Sequence, residues 1–145
     1  MKKFFSLLGL LAGLTLTAQA QSFDARLNKE NPKEWGEAVE KTITSDVFQK
    51  KNIPGVPLKV QVRFRKKIVM GCQYEYQVTN TSTTQAIAIE GYAVSDQKYD
   101  EKIKPGQSVI FLANTMTRCG DKAAKGDEPC MDCQPSFNIT KAFPK

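Results

Sequence analysis

From Leu58 the chain alternates strictly, with Val60, Val62 and Phe64 set between Lys59, Gln61, Arg63 and Arg65. A second run repeats the pattern, with Cys72, Tyr74, Tyr76 and Val78 between Gln73, Glu75, Gln77 and Thr79. A period of two is that of a strand with one face buried, and two such runs in close succession form an antiparallel hairpin. A slip of one residue would bury Arg63 and Arg65, so only pairings whose residue numbers sum to an even value keep the apolar faces together. The tightest of these pairs Ile68 with Cys72 around Val69-Met70-Gly71. It sets Phe64 against Tyr76, Val62 against Val78, and Arg65 against Glu75 as an exposed ion pair. Lys66 then points inward near the hairpin end, where its long side chain reaches water.

Further strands follow. Ala86 to Val94 carries Ile87 and Ile89 before Gly91, which marks a bulge that moves the inward phase to Tyr92 and Val94. Tyr99 to Lys104 leads into Pro105-Gly106, a type II turn pair, and VIFLA forms the centre of a strand from Ser108 to Thr117. Ser136 to Phe143 alternates Phe137 and Ile139. Upstream, Asn31-Pro32-Lys33-Glu34 matches a helix start, and Trp35, Val39 and Ile43 recur every four residues with Ala38 on the same stripe. The expectation there is an amphipathic helix of about three turns, anchored to the sheet by Trp35. Residues 21–30 are polar without a clear period and read as a flexible leader.

The first twenty residues, MKKFFSLLGLLAGLTLTAQA, have the three parts of a secretory signal: Lys2 and Lys3, an apolar run, and Ala18-Gln19-Ala20 as a cleavage site. The expected product begins at Gln21 and is secreted or periplasmic. The apolar run is shorter than the ~20 residues of a spanning helix, and no later run is long enough to cross a membrane. The start looks bacterial, which makes the sequons at Asn80-Thr81-Ser82 and Asn138-Ile139-Thr140 chance matches. Residues 31–145 form one expected domain.

Removing Lys2 and Lys3 lowers the 21 basic residues to 19 against 15 acidic ones, a formal charge of about +4. That permits an acidic partner and is also ordinary for solubility. The chain contains no histidine. This removes Ser-His and Cys-His nucleophile systems and every histidine metal site, and the expectation is a non-enzyme without a cofactor or metal.

Four cysteines remain, Cys72, Cys119, Cys130 and Cys133. Alternating strand directions bring all four to one end of the sheet. Cys130-x-x-Cys133 fits half of a zinc site, yet Cys72 and Cys119 lack such a partner, and an even count in an oxidising compartment favours two disulfides. One long-range bridge from Cys72 and one closing the loop after Cys119 is the preferred of three connectivities. A reactive C-x-x-C needs a helix N-terminus. Here Glu128 and Asp132 raise the thiol pKa, and prolines bracket the pair.

Lys59, Arg63, Arg65 and Lys67 share the outward face of the first strand, a row about 25 Å long at the ~3.3 Å rise of a strand. This is a candidate anion-binding row, weighed against a solubilising edge strand. An aromatic platform for bases is missing from that face, so nucleic acid is the least favoured partner. The expected architecture is a mainly β, antiparallel immunoglobulin-like β-sandwich with one N-terminal amphipathic helix.

The strand and turn YEYQVTNTS, followed by the hairpin IKPGQSVIF, resembles bacterial immunoglobulin-like or fibronectin-like export modules over about half of the mature chain. The resemblance implies a fold and no functional residue. The function expected from the residues is a binding module for a protein or anionic glycan at the cell envelope. The alternatives are a thiol-disulfide oxidoreductase using Cys130 and Cys133, or an inhibitor presenting the 120–132 loop.

Overall fold

The computed structural model describes residues 21–69, 71–93, 98–115, 134 and 136–145. Among these residues eight strands and one short helix follow in order: β1 Gln21–Phe23, β2 Val39–Ile43, α1 Asp46–Lys50, β3 Val56–Ile68, β4 Gly71–Asn80, β5 Ile87–Ala93, β6 Lys98–Ile103, β7 Ser108–Thr115 and β8 Phe137–Pro144. They form two antiparallel four-stranded sheets, ordered β1-β8-β5-β6 and β2-β3-β4-β7, an arrangement consistent with a sandwich.

The alternation of β3 and β4 sets the inner face of the second sheet. Leu58, Val60, Val62, Tyr74, Tyr76 and Val78 are all fully buried there. From the other sheet come Phe23, Ile87, Ile89, Ile103, Phe137 and Ile139. The Phe137 ring joins the layers, stacking on Tyr76 with centroids 5.4 Å apart and lying 5.5 Å from Phe111. Such ring pairs add to burial itself, which is the main stabilising contribution. Phe48 of α1 is also fully buried, and Ser45 caps that helix while donating to the Ala142 carbonyl at 3.1 Å.

The register of the β3–β4 hairpin differs from the expected one. Val62 lies opposite Tyr76, Phe64 opposite Tyr74 and Arg63 opposite Glu75, a shift of two residues that leaves the side chains from Leu58 to Phe64 on their expected faces. At the hairpin end Ile68 pairs with Gly71, an odd sum that clashes with the even sums further along. A bulge between Phe64 and Lys66 absorbs the difference, with Arg65 as the extra residue. Lys66 therefore turns out to solvent, and Lys67 takes the place opposite Cys72.

The N-terminal helix is replaced by other structure. Asn31-Pro32-Lys33-Glu34 forms a β-turn, in which the Glu34 N–H donates to the Asn31 carbonyl at 3.0 Å. Asn followed by Pro suits the first two positions of such a turn as well as a helix cap. Val39–Ile43 is strand β2, in keeping with β-branched Val39, Thr42 and Ile43. Between them Gly36 passes so close to Arg26 that a Cβ would overlap the Arg26 carbonyl. Its N–H donates to Val62 at 2.9 Å, so the segment runs on along β3 beyond the end of β2.

Residues 21–30 are likewise not a loose leader. β1 pairs with β8, and Phe23, Ala25 and Leu27 are buried while Asp24 and Arg26 are exposed. That is a period of two, which the surrounding polar residues hide. The Gln134 side chain accepts from the Leu27 N–H at 2.8 Å, donates to the Ala25 carbonyl, and hydrogen-bonds Tyr76. Burial pushes the Tyr76 phenol well above the usual tyrosine range, against the smaller opposing effect of the Gln134 hydrogen bond.

A bulge does fall at Glu90/Gly91, yet the extra residue lies on β8, where Thr140 donates to the Glu90 carbonyl at 3.0 Å. It is β8 whose inward phase changes, from Phe137 and Ile139 to Ala142 and Pro144. Val94 lies outside the described residues. At Pro105-Gly106, Gly106 takes φ +69°, and Gln107 donates to the Lys104 carbonyl at 3.1 Å, as a type II turn requires.

Candidate binding face

The outward face of the β2-β3-β4-β7 sheet carries most of the singled-out residues. Cross-strand neighbours on it are Glu40 and Lys59, Arg63 and Glu75, Gln61 and Gln77, then Glu75 with Leu112 and Gln77 with Ile110. β3 lies between β2 and β4, so it is not the edge strand that the solubilising reading assumed.

Arg63 donates from Nε to Oε2 of Glu75 at 2.6 Å, and its Nη2 lies 2.6 Å from the same oxygen. Arg65, released from the ladder by the bulge, reaches the other oxygen at 3.3 Å. Its Nη1 also donates to Gln73, and Gln73 donates to Asn114 at 2.9 Å. One carboxylate thus gathers two guanidiniums, and a chain of hydrogen bonds crosses three strands. Glu75 is 12% exposed, against 36% and 43% for the arginines.

Trp35 completes this stripe. The turn at 31–34 and the close passage of Gly36 carry it onto the outward face, where the Arg63 guanidinium sits 4.4 Å from the ring centroid. The aromatic thought to be missing from this face is present beside the arginine, half-buried, and it anchors no helix. Its contact with Arg63 spans 28 positions of a non-repeating path, which no local period reveals.

Of the proposed anion-binding row, Lys59, Arg63 and Arg65 share this face, while Lys67 lies on the core-facing side opposite Cys72. Glu40 opposite Lys59 and Glu75 between the arginines divide the row's positive field. What remains is directional: Nη1 of Arg63 and Nη2 of Arg65 make no hydrogen bond among the described residues.

Cys72 is buried at the start of β4, where the Thr115 hydroxyl accepts from its N–H and donates to its carbonyl, both at 3.2 Å. Cys119, Cys130, Cys133 and the 120–132 loop lie outside the described residues, as do residues 1–20. No helix among the described residues is long and apolar enough to cross a membrane. Asn80 of the first sequon is fully buried, and its amide donates to Gln85 at 2.7 Å and Ile103 at 3.2 Å. The folded state has no room for a glycan there.

Comparison of the chain with protein-family models, with curated proteins and with solved structures finds no match.

Proposed function

We propose that this chain is a non-enzymatic, exported binding module of immunoglobulin-like type. It takes a protein or glycan partner at the cell envelope through the outward face of the β2-β3-β4-β7 sheet. The observation that carries the reading is the Trp35–Arg63–Glu75–Arg65–Gln73 stripe. Its planar groups are held in place by one another, so little side-chain entropy is lost when a ligand arrives. An indole beside guanidinium and amide groups suits a sugar ring, whose apolar face stacks while its hydroxyl or carboxylate groups take hydrogen bonds. The spare nitrogens of Arg63 and Arg65 favour an acidic glycan, and the acidic residues interleaved with them disfavour a long polyanion held by charge alone.

The test is binding of the exported protein to immobilised acidic and neutral polysaccharides at low and high salt, with Trp35→Ala and Arg65→Ala alongside. Loss of glycan binding in both variants, with their thermal unfolding close to that of the parent, supports the reading. Equal binding by parent and variants sinks it.

A further inference from the structure

The four sheet edges are not protected alike. β1 has three residues, β2 has five and carries Glu40 and Lys41, and β6 carries Asp100, Glu101 and Lys102. Lys41 closes its side further, donating to the Ser22 carbonyl at 2.6 Å with its ammonium 5.7 Å from the Phe23 ring centroid. Short strands, charges and covering side chains are the usual guards against edge pairing. Among the described residues, β7 has none of these. Its eight residues, SVIFLANT, include no charge and no proline, and the edge turned away from β4 carries no strand among the described residues. Ile110 and Leu112 stand 51% and 37% exposed on it.

We propose that β7 pairs antiparallel with β7 of a second copy of this chain, joining two β2-β3-β4-β7 sheets into one eight-stranded sheet. Electrostatics and register select this occupant. Each chain is net basic, and among the described edge strands β7 is the one of more than three residues that carries no charge, so two copies meet there without setting like charges opposite one another. Opposed residues of an antiparallel pair share a face, so their numbers must sum to an even value here. With the twofold axis at residue 111, Ile110 of each copy faces Leu112 of the other, and both exposed side chains are covered at once. An axis at residue 110 or 112 would instead put Leu112 against Ser108 or Ile110 against Asn114. The resulting interface is isologous and closes at two copies. It is independent of what the outward face binds, and it would set two Trp35–Arg63 stripes on one continuous surface, with β4 and β7 of both copies between them.

Sedimentation velocity over a wide range of protein concentration tests this on the exported protein. Compared with it are Ile110→Lys, Leu112→Lys and the control Val69→Lys, which places the same charge at a fully exposed hairpin position away from β7. A reversible monomer–dimer equilibrium is expected in the parent and the control. Each β7 lysine should raise its dissociation constant by about tenfold or more, because two lysines enter one symmetric interface. Retained circular dichroism shows that the variants fold. A parent that stays monomeric throughout overturns the proposal, as does a dimer that both β7 lysines leave intact.

Discussion

Arg63 and Glu75 meet across the β3–β4 ladder, with both Nε and Nη2 of the arginine 2.6 Å from a single carboxylate oxygen. The pair is placed by register, since they are directly opposed, and held by the indole of Trp35 lying against the guanidinium. The second carboxylate oxygen then serves Arg65, whose release from the ladder depends on the bulge.

Glu75→Gln removes the one negative charge between these arginines and leaves two like charges on neighbouring positions. The expected loss is about 1 kcal/mol at low salt, the scale of charge-assisted hydrogen bonds at a half-exposed site. Urea unfolding at low and high salt checks it, and the loss should shrink as screening rises.

Asn80 ties four segments together. Besides its two amide donations, its side-chain oxygen accepts from Ser82 at 3.0 Å. Its backbone N–H donates to Gln107 at 3.0 Å, and its carbonyl accepts from Gly106 at 2.9 Å. Asn80→Leu keeps the backbone bonds and removes three side-chain hydrogen bonds, the buried one to the Ile103 carbonyl and the part-buried ones to the Gln85 carbonyl and the Ser82 N–H. A loss of about 2–4 kcal/mol follows from unmet buried polar groups, measurable as a lower denaturant midpoint with an unchanged slope.

Gly36→Ala places a methyl group into the Arg26 carbonyl. Both are backbone, so neither side can rotate away. The segment must lift from β3, weakening the Gly36 bonds to Val62 and Gln61. A loss of about 2 kcal/mol or more is expected from thermal or urea unfolding, in the range for overpacking at a close contact. Trp35 fluorescence should move toward that of exposed indole.

Tyr76 gives the fold a defined alkaline limit. Its phenol is raised in the folded state, so the unfolded chain ionises first as pH rises through about 10. Its contribution is fully present below that value and is lost above it, at up to about 1.4 kcal/mol per pH unit. Tyr76→Phe should cost about 1 kcal/mol at neutral pH through the lost Gln134 bond, yet show a shallower decline between pH 10 and 12. Parallel denaturant curves for the two proteins across that range would measure the difference.

Much of the sheet was legible because strand alternation is local. Leu58 to Phe64 and Cys72 to Val78 show it without interruption, and their faces hold even though the register moved by two. The Pro105-Gly106 turn was legible for the same reason, since a fixed φ beside a glycine at positive φ leaves few alternatives. The segment 31–43 misled because Trp35, Val39 and Ile43 fit a period of four while Lys41 alone obscures the period of two. Burial of Phe23, Ala25 and Leu27 was hidden by too short a run.

The sequence alone therefore determined which side chains of β3 and β4 face inward, because the pleat ties face to parity and burying Arg63 or Arg65 would be prohibitive. Only the tertiary structure decided which residue meets which. A shift of two preserves parity, so local pattern cannot distinguish Arg63 from Arg65 as the partner opposite Glu75. The bulge at Arg65 reconciles the odd sum at Ile68 and Gly71 with the even sums beyond. Trp35 reaches Arg63 through a turn and a glycine contact set by distant backbone, and the stripe they form is a product of chain path, not of composition.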